Sequence, residues 1–269
     1  MNDFAERFPR TLAQLEHGRD DRLHIGAQVY VSRDATPLAD FAWGESRPGV
    51  AMTTDSILLW MSAGKPVAAV AIAQLVEQGL ASFDDPVARH IPAFAAGGKE
   101  AITIRHLLTH TGGFRSAYLG WPNAPWDDII TRICAMPLEA DWIPGQRAGY
   151  HVATSWFILG EIVRQIDARA YWEYVRDEIF IPLQMRDAWV GMPPEQYEAY
   201  GDRIGVLQNT EGGKLEPHPY TSQAHVLACA PGSNAHGPAH DLGRFYEMLV
   251  GRGAWNGVQI LRPETVELL

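Results

Sequence analysis

Ser62-Ala-Gly-Lys65-Pro-Val-Ala-Ala-Val70-Ala-Ile-Ala-Gln-Leu75-Val-Glu77 is apolar nearly all round beyond its first turn, broken only at Gln74, and is closed off by Gly79. A helix of that composition is buried in the body of a domain, and a glycine just past its end is the usual stop. A serine and a lysine stand three positions apart at its start. If the helix begins at Ser62, those positions lie one turn apart on the same face, so the amine reaches the hydroxyl. The positive end of the helix and the apolar surroundings both disfavour an ammonium. A neutral amine is the base that a serine hydroxyl needs in order to become a nucleophile. The Ser62 backbone N–H, at the helix start, is a candidate oxyanion donor.

Nine serines and three lysines (Lys65, Lys99 and Lys214) among 269 residues make a Ser-x-x-Lys possible by chance. The bland alternative is a helix-start serine followed by a surface lysine. What surrounds the pair therefore matters. Phe4, Phe8, Leu12 and Leu15 give a helical spacing over residues 4–17. Leu23 to Val31 alternates as a half-buried strand does, Ser32 to Pro37 supplies turn residues, and Leu38 to Trp43 returns as its partner. Short helices are expected after Asp84-Asp85-Pro86 and from Thr103, a cap, through Leu108. Residues 114–145 read as an irregular aromatic excursion in which Asp127-Asp128 starts a helix running to Ala135. Thr154 to Ile166, Tyr171 to Phe180 and Ala239 to Val250 are further helices, and 191–223 reads as loops with short strands.

Composition narrows the function. The charge is −10, with 22 basic against 32 acidic side chains, which disfavours a nucleic-acid partner. Two cysteines, Cys134 and Cys229, are too few for a disulfide scaffold or a four-cysteine zinc site and read as buried thiols. No run reaches the roughly 18 apolar residues of a membrane span. The start, Met1 to Arg10, has mixed charge and no apolar core behind a basic tip, so a cytoplasmic location is expected.

Three runs acquire meaning together. Ser62-Ala-Gly-Lys65, Leu107-Leu-Thr-His-Thr-Gly-Gly113 and Ile143-Pro-Gly-Gln-Arg-Ala-Gly-Tyr150-His-Val152 occur in one order, flanked by Leu80 to Ala88 and Pro231 to Phe245. This pattern resembles the serine β-lactamase and penicillin-binding-protein superfamily, closest to class C β-lactamases and family VIII carboxylesterases. The resemblance implies an α+β fold of the DD-peptidase/transpeptidase type, with a helical region packed on an antiparallel sheet. It divides the chain into an N-terminal helix and hairpin (1–58), a mostly helical part (59–250) and the start of a C-terminal sheet region (251–269). By position, Ser62 would be the acylated nucleophile, Lys65 its proton acceptor, and Tyr150 the residue that assists deprotonation and later activates water. Tyr118, His151 and Val152 would line the substrate. No metal or organic cofactor is implied.

Two departures shape the expectation. Val152 stands where class C enzymes carry an asparagine that holds a β-lactam side-chain amide, and valine cannot make that bond. Aromatic residues Phe114, Tyr118, Trp121 and Trp126 suit an apolar acyl or alcohol group, so small esters are the expected substrates. A β-lactam or D-alanyl peptide is the alternative. The third family motif, Lys-Thr-Gly or a His-Gly-Gly variant, is not found; Gly212-Gly-Lys-Leu215 has the wrong order. The sheet is thus expected to be incomplete in this chain. Truncation, completion by a second polypeptide, or a non-catalytic ligand-binding relative all fit that absence.

His106 and His110, and again His236 and His240, show a zinc-ligand spacing. The first pair lacks the glutamate of a zinc protease, and Gly237-Pro238 interrupts the second. Histidines satisfied by backbone hydrogen bonds near turns are the expected outcome.

Overall fold

A computed structural model describes residues 2–211 and 214–269, so Gly212 and Gly213 of the Gly-Gly-Lys-Leu run lie outside the described residues. The expected N-terminal helix is two helices, α1 (Asn2–Arg7) and α2 (Pro9–Asp20). Phe8 between them has φ −129°, because a residue preceding proline is pushed out of the helical region.

The hairpin is present and longer than its pattern suggests. Strand β1 (Gly26–Arg33) pairs antiparallel with β2 (Thr36–Arg47), with Val29 opposite Phe41. Asp34 and Ala35 both take positive φ (53° and 55°), the two-residue turn whose twist matches the flanking strands. A third strand, β3 (Val50–Ala51), pairs with the end of β2, giving the order β1-β2-β3. The sheet is held to the body by polar clamps. Gln28 Nε2 donates to the carbonyls of Thr53 (2.7 Å) and Ser56 (2.9 Å), and its Oε1 accepts the Ala239 N–H at 2.9 Å.

A short strand, β4 (Leu58–Leu59), leads into a 3-10 turn at Met61–Gly64, which runs directly into helix α3 (Lys65–Glu77). The helix expected from Ser62 is therefore a tighter turn followed by the α-helix, and side chains three apart eclipse in such a turn. Val67, Val70, Ile72 and Leu75 of α3 are buried, as the apolar run requires. Downstream come 3-10 turns at Val87–Arg89 and Pro92–Ala95, then α4 (Ile104–Leu108) and α5 (Trp126–Ala135). Helix α6 (Thr154–Asp167) packs on α3, with Trp156, Leu159 and Val163 buried in the same core, and α7 (Tyr171–Val175) continues into a π turn at Arg176–Phe180. Each fully buried Val, Leu or Ile in this layer contributes about 1.5–3 kcal/mol.

A second small sheet escapes the sequence reading. Strand β5 (Trp189–Val190) follows the π turn, and helix α8 (Pro194–Tyr200) occupies part of the region read as loops. Short strands β6 (Gln208–Asn209) and β7 (Glu216–Pro217) pair with each other, and α9 (Gln223–Leu227) follows. Strand β8 (Ala235–Gly237) then lies between β4 and β5, antiparallel to both. Helix α10 (Ala239–Val250) matches its expected bounds and packs on β1.

The last segment is a hairpin and a turn of helix. Within 251–269, read as the start of a C-terminal sheet region, β9 (Ala254–Trp255) and β10 (Val258–Gln259) pair with each other. Asn256-Gly257, both at positive φ, closes that hairpin on itself. A one-turn helix, α11 (Pro263–Val266), follows.

Candidate active site

Met61 holds a left-handed backbone (φ 49°), a conformation that costs energy in a non-glycine residue and turns the chain sharply from β4 into the helix. That turn exposes Ser62 while Lys65, at the first position of α3, is only 5% exposed. The turn is seated against β8: the Trp60 N–H donates to Ala235 O at 2.8 Å, and Trp60 Nε1 donates to Gly237 O at 2.8 Å. Gly64 faces Ala235 so closely that a Cβ there would lie 2.6 Å from the Ala235 methyl carbon.

The three residues read as nucleophile, base and assistant are brought together. Lys65 Nζ lies 2.9 Å from Ser62 Oγ, and the Tyr150 hydroxyl lies 2.7 Å from the same oxygen. Lys65 Nζ also donates to two main-chain carbonyls, Val152 O at 3.1 Å and Gly232 O at 2.5 Å. Among the described residues, no carboxylate is hydrogen-bonded to it. Burial pushes the Lys65 amine below the usual lysine range, opposed by its contact with Tyr150. For Tyr150, burial pushes the phenol up, but its bonds to Ser62 and Lys65 and the lysine charge prevail, and it sits below the usual tyrosine range. The Lys65 amine is also 5.0 Å from the Tyr150 ring and 5.4 Å from the Trp156 ring.

Sequence reasoning missed two of these contributors. Gly232 reaches Lys65 because it has no side chain: a Cβ there would meet the Trp156 ring at 2.7 Å. Val152 acts through its carbonyl as well as its side chain. Main-chain acceptors leave no residue-type signal, although Pro231-Gly232 marks a tight turn.

Two cavities meet at Tyr150, and Ser62 lines the second. One, of about 1090 Å³, is lined by Phe114, Tyr118, Leu119, Trp121, Tyr150 and Val152 among others. The other, of about 630 Å³, includes Ser62, Lys65, His110, Tyr150, Trp156 and Tyr246 in its wall. Tyr118 and Val152 are exposed and line the first cavity, as read from the sequence. His151 does not fit its assigned place: it is fully buried, and its Nε2 accepts the Phe114 N–H at 3.3 Å, so it supports the wall from behind. Burial lowers its pKa to about 4, which keeps it neutral. Trp126 also turns elsewhere, donating from Nε1 to Glu161 Oε2 at 2.7 Å.

Of the histidines in the metal-like spacings, His106, His110 and His236 have backbone partners, whereas His240 lies against carboxylates, Nδ1 3.2 Å from Asp40 Oδ2. His106 Nδ1 accepts the Thr103 N–H at 3.1 Å in the cap of α4, and His110 Nδ1 accepts the His151 N–H at 3.0 Å. His236 lies buried in β8 with Nδ1 3.0 Å from Asn234 O. Cys134 is buried and Cys229 partly so, and burial raises both thiols above the usual cysteine range.

Comparison with known proteins bears on this arrangement. The esterase/beta-lactamase LipL of Mycobacterium tuberculosis is 28% identical over 174 residues, covering 63% of this chain and 40% of that protein. Penicillin-binding protein 4* of Bacillus subtilis is 30% identical over 167 residues, covering 58% of this chain and 35% of that protein. The chain thus spans two-fifths or less of the length of these two relatives. The crystal structure of a penicillin-binding protein homolog from Caulobacter crescentus superposes with a TM-score of 0.81 at 26% identity, covering 97% of this chain and 74% of that one. With the α+β architecture in place and a family profile described as Beta-lactamase matching residues 12–269, the chain belongs to the Beta-lactamase family.

Proposed function

We propose that this chain carries the nucleophile half of a serine hydrolase that cleaves small carboxylic esters through an acyl-Ser62 intermediate. The observation that supports this reading is the set of partners around Lys65 Nζ: two main-chain carbonyls and the hydroxyls of Ser62 and Tyr150. A neutral amine has two N–H bonds and one lone pair. Its two N–H bonds meet Val152 O and Gly232 O, and the lone pair then faces Ser62 Oγ.

In the first step Ser62 Oγ bonds to the ester carbonyl carbon while its proton passes to Lys65 Nζ. Collapse breaks the bond to the alcohol oxygen, which leaves with a proton returned through the Tyr150 and Lys65 pair. Water then adds to the acyl-enzyme by the same proton path, releasing the acid and restoring Ser62. The Ser62 N–H is the one oxyanion donor assigned here. Losing one donor of a pair costs about a hundred- to thousandfold in rate, so slow turnover is expected.

The cavity beside Tyr150 and Val152 supports an apolar acyl group, being lined by Phe114, Leu119, Trp121 and Phe157. Arg115 in the same wall is already paired with Glu139, Nε to Oε1 2.9 Å, which favours a neutral substrate over an acidic one. A β-lactam substrate is the second reading, favoured by the names of the relatives above. Hydrolysis of p-nitrophenyl butyrate and of nitrocefin by the wild type and by Ser62→Ala tests both. Ester turnover that is lost in the variant is expected; faster nitrocefin turnover would favour the second reading, and Ser62-independent turnover would overturn both.

A further inference from the structure

The loop carrying Tyr150 has no regular structure to hold it, yet the phenol must sit within hydrogen-bond reach of Ser62. One residue grips it on both sides. His110 accepts the Gly149 N–H on its carbonyl at 2.8 Å and the His151 N–H on its ring Nδ1 at 3.0 Å. Its ring lies against the Tyr150 ring, centroids 4.6 Å apart with planes tilted by 34°, and meets the edge of Trp156 at 5.5 Å. The next residue extends the grip, since Thr111 O accepts the Gly145 N–H at 3.2 Å and Trp142 Nε1 at 2.9 Å.

His110 itself is held in the left-handed region, φ 60°, at the end of α4. That conformation is uncommon for a residue other than glycine or asparagine. It swings both the carbonyl and the ring toward the Tyr150 loop. Such a conformation persists only where surrounding contacts compensate for it, and it clusters at sites with a job to do.

We infer that His110 is a positioning residue for the proposed reaction: it fixes the Tyr150 phenol on Ser62 by holding the peptide N–H groups on both sides of that tyrosine. This rests on the acyl-Ser62 reading above. The ring can accept from His151 only while Nδ1 is unprotonated. Burial holds the His110 pKa below the ordinary histidine value, so the accepting form is the one present near neutral pH.

Two variants separate the ring acceptor from the backbone conformation. His110→Asn tolerates a positive φ and places a side-chain oxygen close to where Nδ1 stands. His110→Gly tolerates the same φ with no acceptor. Displacing a catalytic group by about 1 Å can cost about a hundredfold. The expected result on p-nitrophenyl butyrate is a kcat about 10- to 100-fold lower in His110→Gly, with KM little changed. His110→Asn should recover most of that loss. Equal rates in the two variants, or recovery in the glycine variant, would overturn the inference. A wild type inactive on esters would count against the acyl-Ser62 reading instead.

The inference still faces a test that needs no turnover. Ultraviolet titration of the phenol, taken as the difference from Tyr150→Phe, reads whether the hydroxyl keeps its contacts with Ser62 and Lys65. Its ionisation should move up toward the ordinary tyrosine value in His110→Gly and stay low in His110→Asn. No difference between these titrations would refute the positioning role.

Discussion

Replacing Gly64 by alanine tests how the nucleophile turn is seated. Gly64 has ordinary helical dihedrals (φ −80°, ψ −11°), so alanine meets no backbone penalty there. Its Cβ, however, would lie 2.6 Å from the Ala235 Cβ. Carbon atoms rest about 3.5–4.0 Å apart, so the turn and β8 must separate by about 1 Å. Overpacking of this kind costs about 1–3 kcal/mol, which for a domain of this size lowers Tm by about 2–5 °C. The larger effect falls on activity. Lys65 follows Gly64 directly while its anchor, Gly232 O, lies three residues before Ala235, so the separation pulls Lys65 away from that carbonyl. A rate loss of about a hundredfold follows. The assay is p-nitrophenyl butyrate hydrolysis alongside thermal melting. Gly64→Ala combined with Ala235→Gly removes the opposing methyl and should restore most of both losses. Full activity in the single variant, or no recovery in the double variant, would refute this account of the turn.

Three further outcomes follow from other contacts. His151 and His236 are buried with pKa values lowered to about 4, so the unfolded chain binds protons that the folded one refuses between about pH 6.5 and 4. Stability should be full above that window and fall as pH drops through it, by about 3 kcal/mol per histidine at pH 4; a melting temperature flat from pH 7 to 4.5 would contradict this. Val152→Asn puts an amide on the cavity wall and should raise nitrocefin hydrolysis relative to ester hydrolysis by about tenfold, the worth of one hydrogen bond; an unchanged ratio of the two rates would show that position 152 does not select substrate. Lys99 is fully buried and donates to the carbonyls of Ala96, Cys134 and Met136, so Lys99→Met strands three acceptors and should cost about 2–4 kcal/mol, read as a drop in Tm with the Ser62 site unaltered. A Tm within 1–2 °C of the wild type would show that those carbonyls find other partners.

The parts of this site legible in the sequence are those encoded by residue type and spacing. The apolar run after Lys65 announces a buried helix, and Ser62, Lys65 and Tyr150 stand out because hydroxyl, amine and phenol carry the chemistry. Hairpin and helix positions were readable from period and turn residues, as with α10 and β1–β2. The β4-β8-β5 sheet was not readable, because strands of two or three residues are too short to show alternation. The grip on Lys65 was equally hidden, since it comes from the main-chain oxygens of Val152 and Gly232. His151 was misplaced for a related reason: adjacency to Tyr150 in the chain does not say which way a side chain points, and here it points into the core. His110 was visible as half of a metal-like spacing and within the Leu107–Gly113 run, while its use depends on a backbone conformation that no pattern of residue types specifies.

The central claim is that Lys65 is a base for Ser62, and covalent labelling reads it most directly. An alkyl fluorophosphonate should add one phosphonyl group to the wild-type chain, mapped by peptide mass to Ser62, with a rate that rises with pH through the lowered lysine ionisation. Lys65→Met, which keeps the length of the side chain, should label at least a hundredfold more slowly. Labelling of Ser62 at the wild-type rate in that variant, or modification at another residue in the wild type, would contradict the account.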